Sequence, residues 1–221
     1  MNGEPFPGRV LFRRGPSRRR GNDLAGEMEG EKGMADFFDL LKTRRSIRDY
    51  LEREVPLDLV REIIQDACLA PSSGNGQPWK FILVNRREMI RRLSEESKKN
   101  LLARIEKDPS SPLKKYEGLL RSPEFNVFYN APCLVYIVGR REVRSLWVDC
   151  ALAACYFMFA AAARGLGTCW VDLGSRVESP ELLEEIGLPE DCRIVAPLIL
   201  GYPRSVPAPS PRTPQILKAV A

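Results

Sequence analysis

The feature that most constrains the fold is an almost uninterrupted apolar run over residues 147–164. Its uncharged part, residues 150–163, is shorter than the roughly 20 residues that a membrane-spanning helix needs. Gly165 follows directly, and glycine commonly ends helices because it adopts the left-handed conformation without strain. We therefore expect a helix over 147–164. Since it is apolar on nearly every side, it either lies at the centre of the core or buries one face against another chain.

The rest of the chain alternates between helical and strand patterns. The clearest helix spans residues 56–70, where apolar side chains recur every three or four positions after Pro56. Runs of β-branched and aromatic residues predict four strands. Helices are predicted over 35–44, 56–70, 86–106, 147–164 and 182–186, and strands over 80–84, 134–138, 168–171 and 193–200. This order predicts a single mixed α/β or α+β domain, followed by a proline-rich extended tail.

The N-terminal residues differ in composition from the rest. Residues 1–20 contain six arginines and one glutamate, so they account for the whole net charge of +5. We expect residues 1–33 to be a disordered Arg/Gly-rich extension, residues 34–214 to form the domain and residues 215–221 to be a tail. Residues 21–221 carry equal numbers of basic and acidic side chains, so the rest of the chain gives no reason to expect nucleic-acid binding. A basic arm that engages nucleic acid or a partner remains the alternative interpretation of residues 1–33.

Histidine is absent and six cysteines are present. The absence of histidine excludes serine–histidine and cysteine–histidine nucleophiles and every histidine-containing metal site. The cysteines form no Cys-x-x-Cys pair and have apolar neighbours, which favours buried thiols in a reducing compartment over a redox or metal-binding set. The N-terminus also lacks the apolar stretch of a secretory signal. We expect no membrane association, no metal site and a cytoplasmic location.

Two short motifs carry most of the chemistry. The first, Arg44-Arg45-Ser46-Ile47-Arg48, concentrates three guanidinium groups and a hydroxyl at the end of a predicted helix. Guanidinium groups pair with phosphate oxygens, so the motif is a candidate anion clamp, although a solvated basic helix end would look the same. The second is an uncharged loop rich in hydrogen-bonding groups, with sequence APSSGNGQPW at residues 70–79.

Together with GLGTCWVDLG at 165–174 and GYPRSVPAPSPRTP at 201–214, these motifs resemble the FMN-dependent nitroreductase family over roughly residues 36–214. The resemblance implies an α+β fold whose central sheet is mixed, mainly antiparallel and flanked by helices. It also implies a domain-interlocked homodimer in which FMN lies at the subunit interface. The long apolar helix would then serve both the core and that interface.

The resemblance assigns a role to each candidate site residue. It places the FMN phosphate and ribityl chain at Arg44, Arg45 and Ser46, the flavin pyrimidine edge at Arg48, and a closing phosphate contact at Arg212. The backbone of Asp172 and Leu173 would face the flavin, with one amide donating to N5. The partner chain would line the cofactor with its second motif, through Pro71, Ser72, Ser73, Asn75 and Gln77. Catalytic side chains and metal ligands are not expected, because the flavin carries the chemistry.

The implied activity is transfer of hydride from NADH or NADPH to flavin N5. A small planar acceptor such as a nitroaromatic or quinone would then be reduced in a ping-pong sequence. Two alternatives stay open: related flavin chemistry (reductive dehalogenation, flavin fragmentation or dehydrogenation) and a non-catalytic flavin-binding redox protein. The sequence also leaves open whether the aromatic residues of 113–130 cover a substrate or simply pack, and these are Tyr116, Phe125, Phe128 and Tyr129.

Overall fold

The computed structural model describes residues 36–220, so the predicted extension over 1–33 lies outside the described part of the chain. The helices are α1 (Phe37–Thr43), α2 (Leu57–Ala67), α3 (Arg87–Lys107), α4 (Glu117–Arg121), α5 (Leu146–Ala163) and α6 (Pro180–Glu185). The strands are β1 (Lys80–Val84), β2 (Cys133–Arg140), β3 (Gly167–Trp170) and β4 (Cys192–Gly201). Short 3-10 helices span Ser73–Asn75, Pro112–Tyr116 and Asp172–Ser175.

Local sequence explains where several helices begin and end. The Asp36 carboxylate caps α1 by accepting from the Phe38 amide at 2.7 Å, and Ser179 caps α6 in the same way through the Leu182 amide. Gly165 ends α5 with a φ of +75°, a conformation in which a β-carbon would be strained. Each predicted helix and strand is therefore present, with small changes at its ends.

The four strands form one sheet in the order β1-β2-β4-β3, and every neighbouring pair is antiparallel. One parallel bridge, between Ser46 and Thr168, adds a short extended segment beside β3. The expected α+β architecture, with a mainly antiparallel sheet flanked by helices, is confirmed.

Strand β2 shows how the sheet separates two cores. Leu134, Tyr136 and Val138 face the layer that contains α3 and α4. Their neighbours Cys133 and Val135 point the other way, into the layer of α2 and α5. This alternation follows from the two-residue period of a strand, and it makes the domain a helix–sheet–helix sandwich.

Helix α5 is a core element with one uncovered side. Small residues such as Ala153, Ala154 and Ala161 are fully buried and allow it to pack closely on α2, β3 and β4. Its length and composition would by themselves suffice for a membrane span, but this packing identifies it as the central helix of the domain. Val148 and Tyr156 lie on the opposite side and are 64% and 43% exposed. A helix apolar all round thus buries only part of its surface within one chain.

The six cysteines are all free thiols. Four are buried and two, Cys68 and Cys155, are partly exposed. Burial raises the pKa of both Cys133 and Cys150 to about 12. Among residues 36–220 the structure contains no cluster of metal-ligating side chains.

Candidate functional site

The first motif forms an extended segment that crosses one end of the sheet. The Ile47 amide donates to the Thr168 carbonyl at 2.9 Å, and the Ile47 side chain is 3% exposed. A β-carbon on Gly167 would lie 2.6 Å from Ile47 Cγ1, so the absence of a side chain there lets the segment approach β3. Since side chains alternate along an extended segment, burying Ile47 directs Ser46 and Arg48 to the opposite side.

The buried thiol of Cys169 marks that opposite side. Burial raises the pKa of Cys169, whereas the charge of Arg48, a hydrogen bond with Ser46 and the charge of Arg44 each lower it. Arg44, Ser46 and Arg48 therefore all lie close enough to Cys169 to influence its thiol. Tyr50 fixes the end of the segment by donating from its hydroxyl to the Ile47 carbonyl at 2.6 Å, and burial raises its pKa far above the ordinary value.

Two arginines of the motif contain buried donors without acceptors. Arg45 bonds to the carbonyls of Lys42 and Arg44, which satisfies the C-terminal end of α1. Among the described residues, Arg45 Nε and Arg44 Nη1 are nonetheless buried with no hydrogen-bond partner. An unmatched buried donor costs about 1–3 kcal/mol, and more when it is charged. Both arginines line a cavity of about 180 Å³ beside β3, which makes this cavity the candidate position for an anion.

Arg48 borders a cavity of about 450 Å³. Its guanidinium carbon lies 5.7 Å from the centroid of the Tyr129 ring, and Phe125 meets the same ring edge-on. Tyr129 has a φ of +52°, an unusual backbone conformation for a bulky residue that turns its ring toward the cavity wall. Phe128, by contrast, is fully buried against Tyr136.

The aromatic residues of 113–130 thus have two roles. Phe128 belongs to the core, and Tyr116 is partly buried against the same cluster. Phe125 and Tyr129 pack against this cluster as well, and they also line the cavity beside Arg48. All four residues therefore contribute to packing, and Phe125 and Tyr129 are the two that also face the cavity.

The second motif forms a loop held by the first turn of α5. Asp149 is 2% exposed, and its carboxylate accepts from the Ser73 amide at 3.0 Å and from the Ser145 hydroxyl at 2.7 Å. Within the loop, the Gln77 amide donates to Ser72 Oγ at 3.0 Å. The Asn75 side chain accepts from Gln77 Nε2 at 3.1 Å.

Most of this loop faces outward. Pro71, Ser73, Asn75 and Gln77 are exposed, and Ser72 is partly buried. Asn75 and Gln77 have φ values of +54° and +45°. The loop therefore presents several hydrogen-bonding groups on a strained but anchored backbone.

Within one chain, the two motifs lie at opposite ends of α5. The serine loop contacts Asp149 near the start of the helix. The arginine motif contacts its end, where the Arg44 guanidinium lies 5.9 Å from the Phe159 ring. At 1.5 Å per residue, an 18-residue helix is about 27 Å long. A single chain thus does not bring the two groups of predicted residues together.

The remaining predicted residues follow β3 and β4 along the chain. Asp172 and Leu173 begin a 3-10 helix just after β3, and the first amides of a helix have no acceptor within it. Arg212 is exposed on the tail, beyond the last strand. The tail begins beside the arginine motif, since the Leu51 amide donates to the Tyr202 carbonyl at 2.9 Å.

Sequence reasoning missed two residues of this region. Arg204 donates to Asp49 Oδ1 at 3.2 Å and to the Tyr50 carbonyl at 3.1 Å, which joins the tail to the cavity wall. The buried Asp149 anchors the serine loop. Arg204 lies within the segment 201–214 that carries part of the family resemblance, but no local sequence pattern marks it as a residue of the site. Asp149 was detectable only as the one charge in an otherwise apolar stretch.

Comparison with known proteins identifies the family. Residues 41–202 match the nitroreductase family model. The chain is 31% identical over 178 residues to a protein of Archaeoglobus fulgidus with the provisional name NADH dehydrogenase/NAD(P)H nitroreductase, covering 77% of this chain and 87% of the relative. It is 29% identical over 198 residues to chloronitrobenzene nitroreductase of Comamonas testosteroni, covering 74% and 85% of the two chains.

A solved structure extends the similarity to another activity. Oxidized iodotyrosine deiodinase bound to FMN and 3-iodo-L-tyrosine superposes with a TM-score of 0.65 at 25% identity. The similarity covers 83% of this chain and 98% of the deiodinase chain.

The role of Asp149 gives a testable prediction. Asp149→Asn removes the charge that accepts from the Ser73 amide, so we expect faster hydrogen exchange at Ser73. We also expect a loss of about 1–3 kcal/mol in the free energy of unfolding, the usual cost of a disrupted buried charged hydrogen bond. The matched control is Asp58→Asn, which removes only an exposed ion pair with Arg61 on α2. Unchanged exchange at Ser73 in Asp149→Asn would contradict the anchoring role.

Proposed function

The chain belongs to the nitroreductase family, and we propose that it is an FMN-dependent oxidoreductase that uses NADH or NADPH to reduce a small planar acceptor such as a nitroaromatic or quinone. The observation that carries this proposal is the pair of unpartnered buried nitrogens, Arg44 Nη1 and Arg45 Nε, on two side chains that line one small cavity. A phosphate dianion would satisfy both nitrogens with charge-assisted hydrogen bonds. Arg212, on the proline-rich tail, would add a further contact to the same phosphate.

The chain's own residues bind and orient the cofactor. FMN supplies the redox chemistry when bound, accepting two electrons from a dihydronicotinamide and passing them to the acceptor. Arg48 would hold a positive charge at the pyrimidine edge of the ring, where it stabilises added negative charge. The backbone of Asp172 and Leu173, at the start of their 3-10 helix, would face the ring, with one amide donating to it. Tyr129, whose ring centroid lies 5.7 Å from the Arg48 guanidinium carbon, would flank that edge.

A second copy of the chain would complete the site. The serine loop and the arginine motif lie at opposite ends of α5, and the side of α5 between them exposes Val148, Leu152 and Tyr156. Two copies that pack these apolar sides antiparallel would bring the loop of one chain to the arginine motif of the other. We infer a homodimer in which residues 71–77 of each partner line the cofactor.

The free thiols support a cytoplasmic location. Six free cysteines, two of them partly exposed, suit a reducing compartment. We place the protein in the cytoplasm, as a soluble enzyme.

Reductive dehalogenation is the second candidate function. Its support is the similarity to iodotyrosine deiodinase, whose ligand is an aromatic amino acid. The cavity beside Arg48 is lined by both basic and acidic groups, including Arg87 and Glu124, which suits a zwitterionic ligand. Halide release from a halogenated tyrosine, measured against nitro-group reduction with the same electron donor, distinguishes the two functions.

A direct test uses the visible spectrum of the purified protein. We expect a yellow protein whose flavin absorbance bleaches with NADH or NADPH and returns when a nitroaromatic or quinone is added. A colourless protein that does not take up added FMN would reject the proposed cofactor. A yellow protein that neither donor bleaches would reject the proposed electron source.

Arg44 tests the phosphate contact. Arg44→Ala should weaken FMN binding about 10- to 100-fold, because a hydrogen bond to a charged group contributes about 1.5–3 kcal/mol. Riboflavin lacks the phosphate, so its affinity should change little in the same fluorescence titration. Arg61→Ala, on the exposed side of α2, is the matched control and should bind both flavins like the wild type. Equal losses for FMN and riboflavin would place Arg44 away from the phosphate.

Arg48 should act on the ring instead. Arg48→Ala removes a positive charge from the pyrimidine edge, so the two-electron potential of the bound flavin should become more negative by about 30 mV or more, which corresponds to ~1.4 kcal/mol. Spectroelectrochemical titration measures this shift, with Arg44→Ala as the comparison at saturating FMN. The same potential in both variants would contradict the division of roles between the two arginines.

A further inference from the structure

A second cationic cavity lies beyond the Asp172–Ser175 helix, at the opposite end of the sheet from the arginine motif. Its volume is about 350 Å³. Three guanidinium groups line it, from Arg141, Arg176 and Arg193, together with the Trp147 indole and Ser175. None of these residues belongs to the site described above.

The three arginines are held by three different elements. Arg193 lies in β4 opposite Gly139. The Arg141 amide, just past β2, donates to the Asp191 carbonyl at 2.9 Å. The Arg176 carbonyl accepts from Asn100 Nδ2 of α3 at 2.9 Å. The cavity wall is therefore built on fixed backbone rather than on a loose loop.

The cations in this cavity outnumber the acids. Within residues 36–220, the structure records no ion pair or side-chain hydrogen bond for the three guanidinium groups. The neighbouring acids Glu142 and Asp191 instead contact Arg140, at 2.6 Å and 3.0 Å. Glu178 also lines the cavity, so three arginines and one glutamate leave two net positive charges. Such a wall attracts a ligand with more than one negative charge.

Trp147 adds an aromatic surface. The Arg193 guanidinium carbon lies 5.2 Å from the centroid of its ring, while 49% of the residue remains exposed. An exposed indole ring next to guanidinium groups can stack a heteroaromatic base whose phosphates contact those groups. Ser175 adds a hydroxyl one turn from Asp172, where the flavin ring is proposed to lie.

We propose that this cavity binds the adenosine and pyrophosphate end of the nicotinamide donor. Trp147 stacks the adenine, and Arg141, Arg176 and Arg193 contact the phosphates, which leaves the nicotinamide directed past Ser175 toward the flavin. The inference rests on the proposed function, because it takes NADH or NADPH as the electron donor. It adds the part of the chain that recognises that donor.

The test compares a donor with phosphates and a donor without them. In Arg176→Gln and Arg193→Gln, we expect the KM for NADH and NADPH to rise about tenfold, the effect of losing about 1.4 kcal/mol. The kcat/KM for 1-benzyl-1,4-dihydronicotinamide, which has no phosphate or adenosine, should stay close to that of the wild type. Arg176→Lys, which keeps the charge, should recover most of the KM for NADH.

Arg92→Gln is the matched control, since Arg92 pairs with Glu185 on α6 and lies outside this cavity. FMN affinity should be the same in all variants. An unchanged KM for NADH in Arg176→Gln and Arg193→Gln would overturn the proposal. An equal loss with the benzyl donor would do the same, because it would show a general disturbance of the flavin site.

Calorimetric titration with ADP separates this proposal from the proposed function. The FMN-loaded wild type should bind ADP, and Arg176→Gln should bind it about tenfold more weakly. This result would support the cavity even if neither dihydronicotinamide were oxidised, in which case only the electron source would be wrong. No ADP binding by the wild type would overturn the cavity assignment whatever the activity.

Discussion

The packing of α5 on the sheet is the interaction on which the rest of the structure depends. Small residues such as Ala153 and Ala161 allow the helix to approach the strands closely, and Phe157 fills the space between α5 and the sheet. This contact fixes the position of both helix ends. The start of α5 holds the serine loop through Asp149, and its end contacts Arg44 through Phe159. A shift in this one helix would move both parts of the candidate site.

Charge placement gives the fold its second constraint. Many arginines of the described residues are paired with acids, as Arg140 is with Glu142 and Asp191, but those of the first motif and of the cationic cavity have no recorded ion pair. Arg44 and Arg45 keep buried nitrogens without acceptors, at a cost to stability that a bound phosphate would remove. The protein has no histidine, so its contribution to the proposed reaction is binding, orientation and electrostatics, with the redox step left to the cofactor.

The sequence predicted the secondary structure well because most of its signals are local. Gly165 sets the end of α5, and the alternation in β2 sets the two faces of the sheet. The sequence could also group residues 44–48 by pattern. It could not show that burial of Ile47 would direct Arg48 toward Tyr129, because that contact joins segments about 80 residues apart. The cationic cavity could not be predicted for the same reason, since its arginines come from three segments that lie far apart in the sequence.

The separation of the two motifs along α5 has a thermodynamic consequence for the proposed dimer. If each cofactor touches the arginine motif of one chain and the serine loop of the other, cofactor binding and chain association are linked equilibria. A ligand that binds only the assembled form stabilises it in proportion to the logarithm of its concentration relative to Kd. The same linkage requires association to tighten cofactor binding by an equal free energy. In the isolated chain, two features are then destabilising: the uncovered apolar side of α5 and the unpartnered nitrogens of Arg44 and Arg45. Assembly of two chains with the cofactor would remove both.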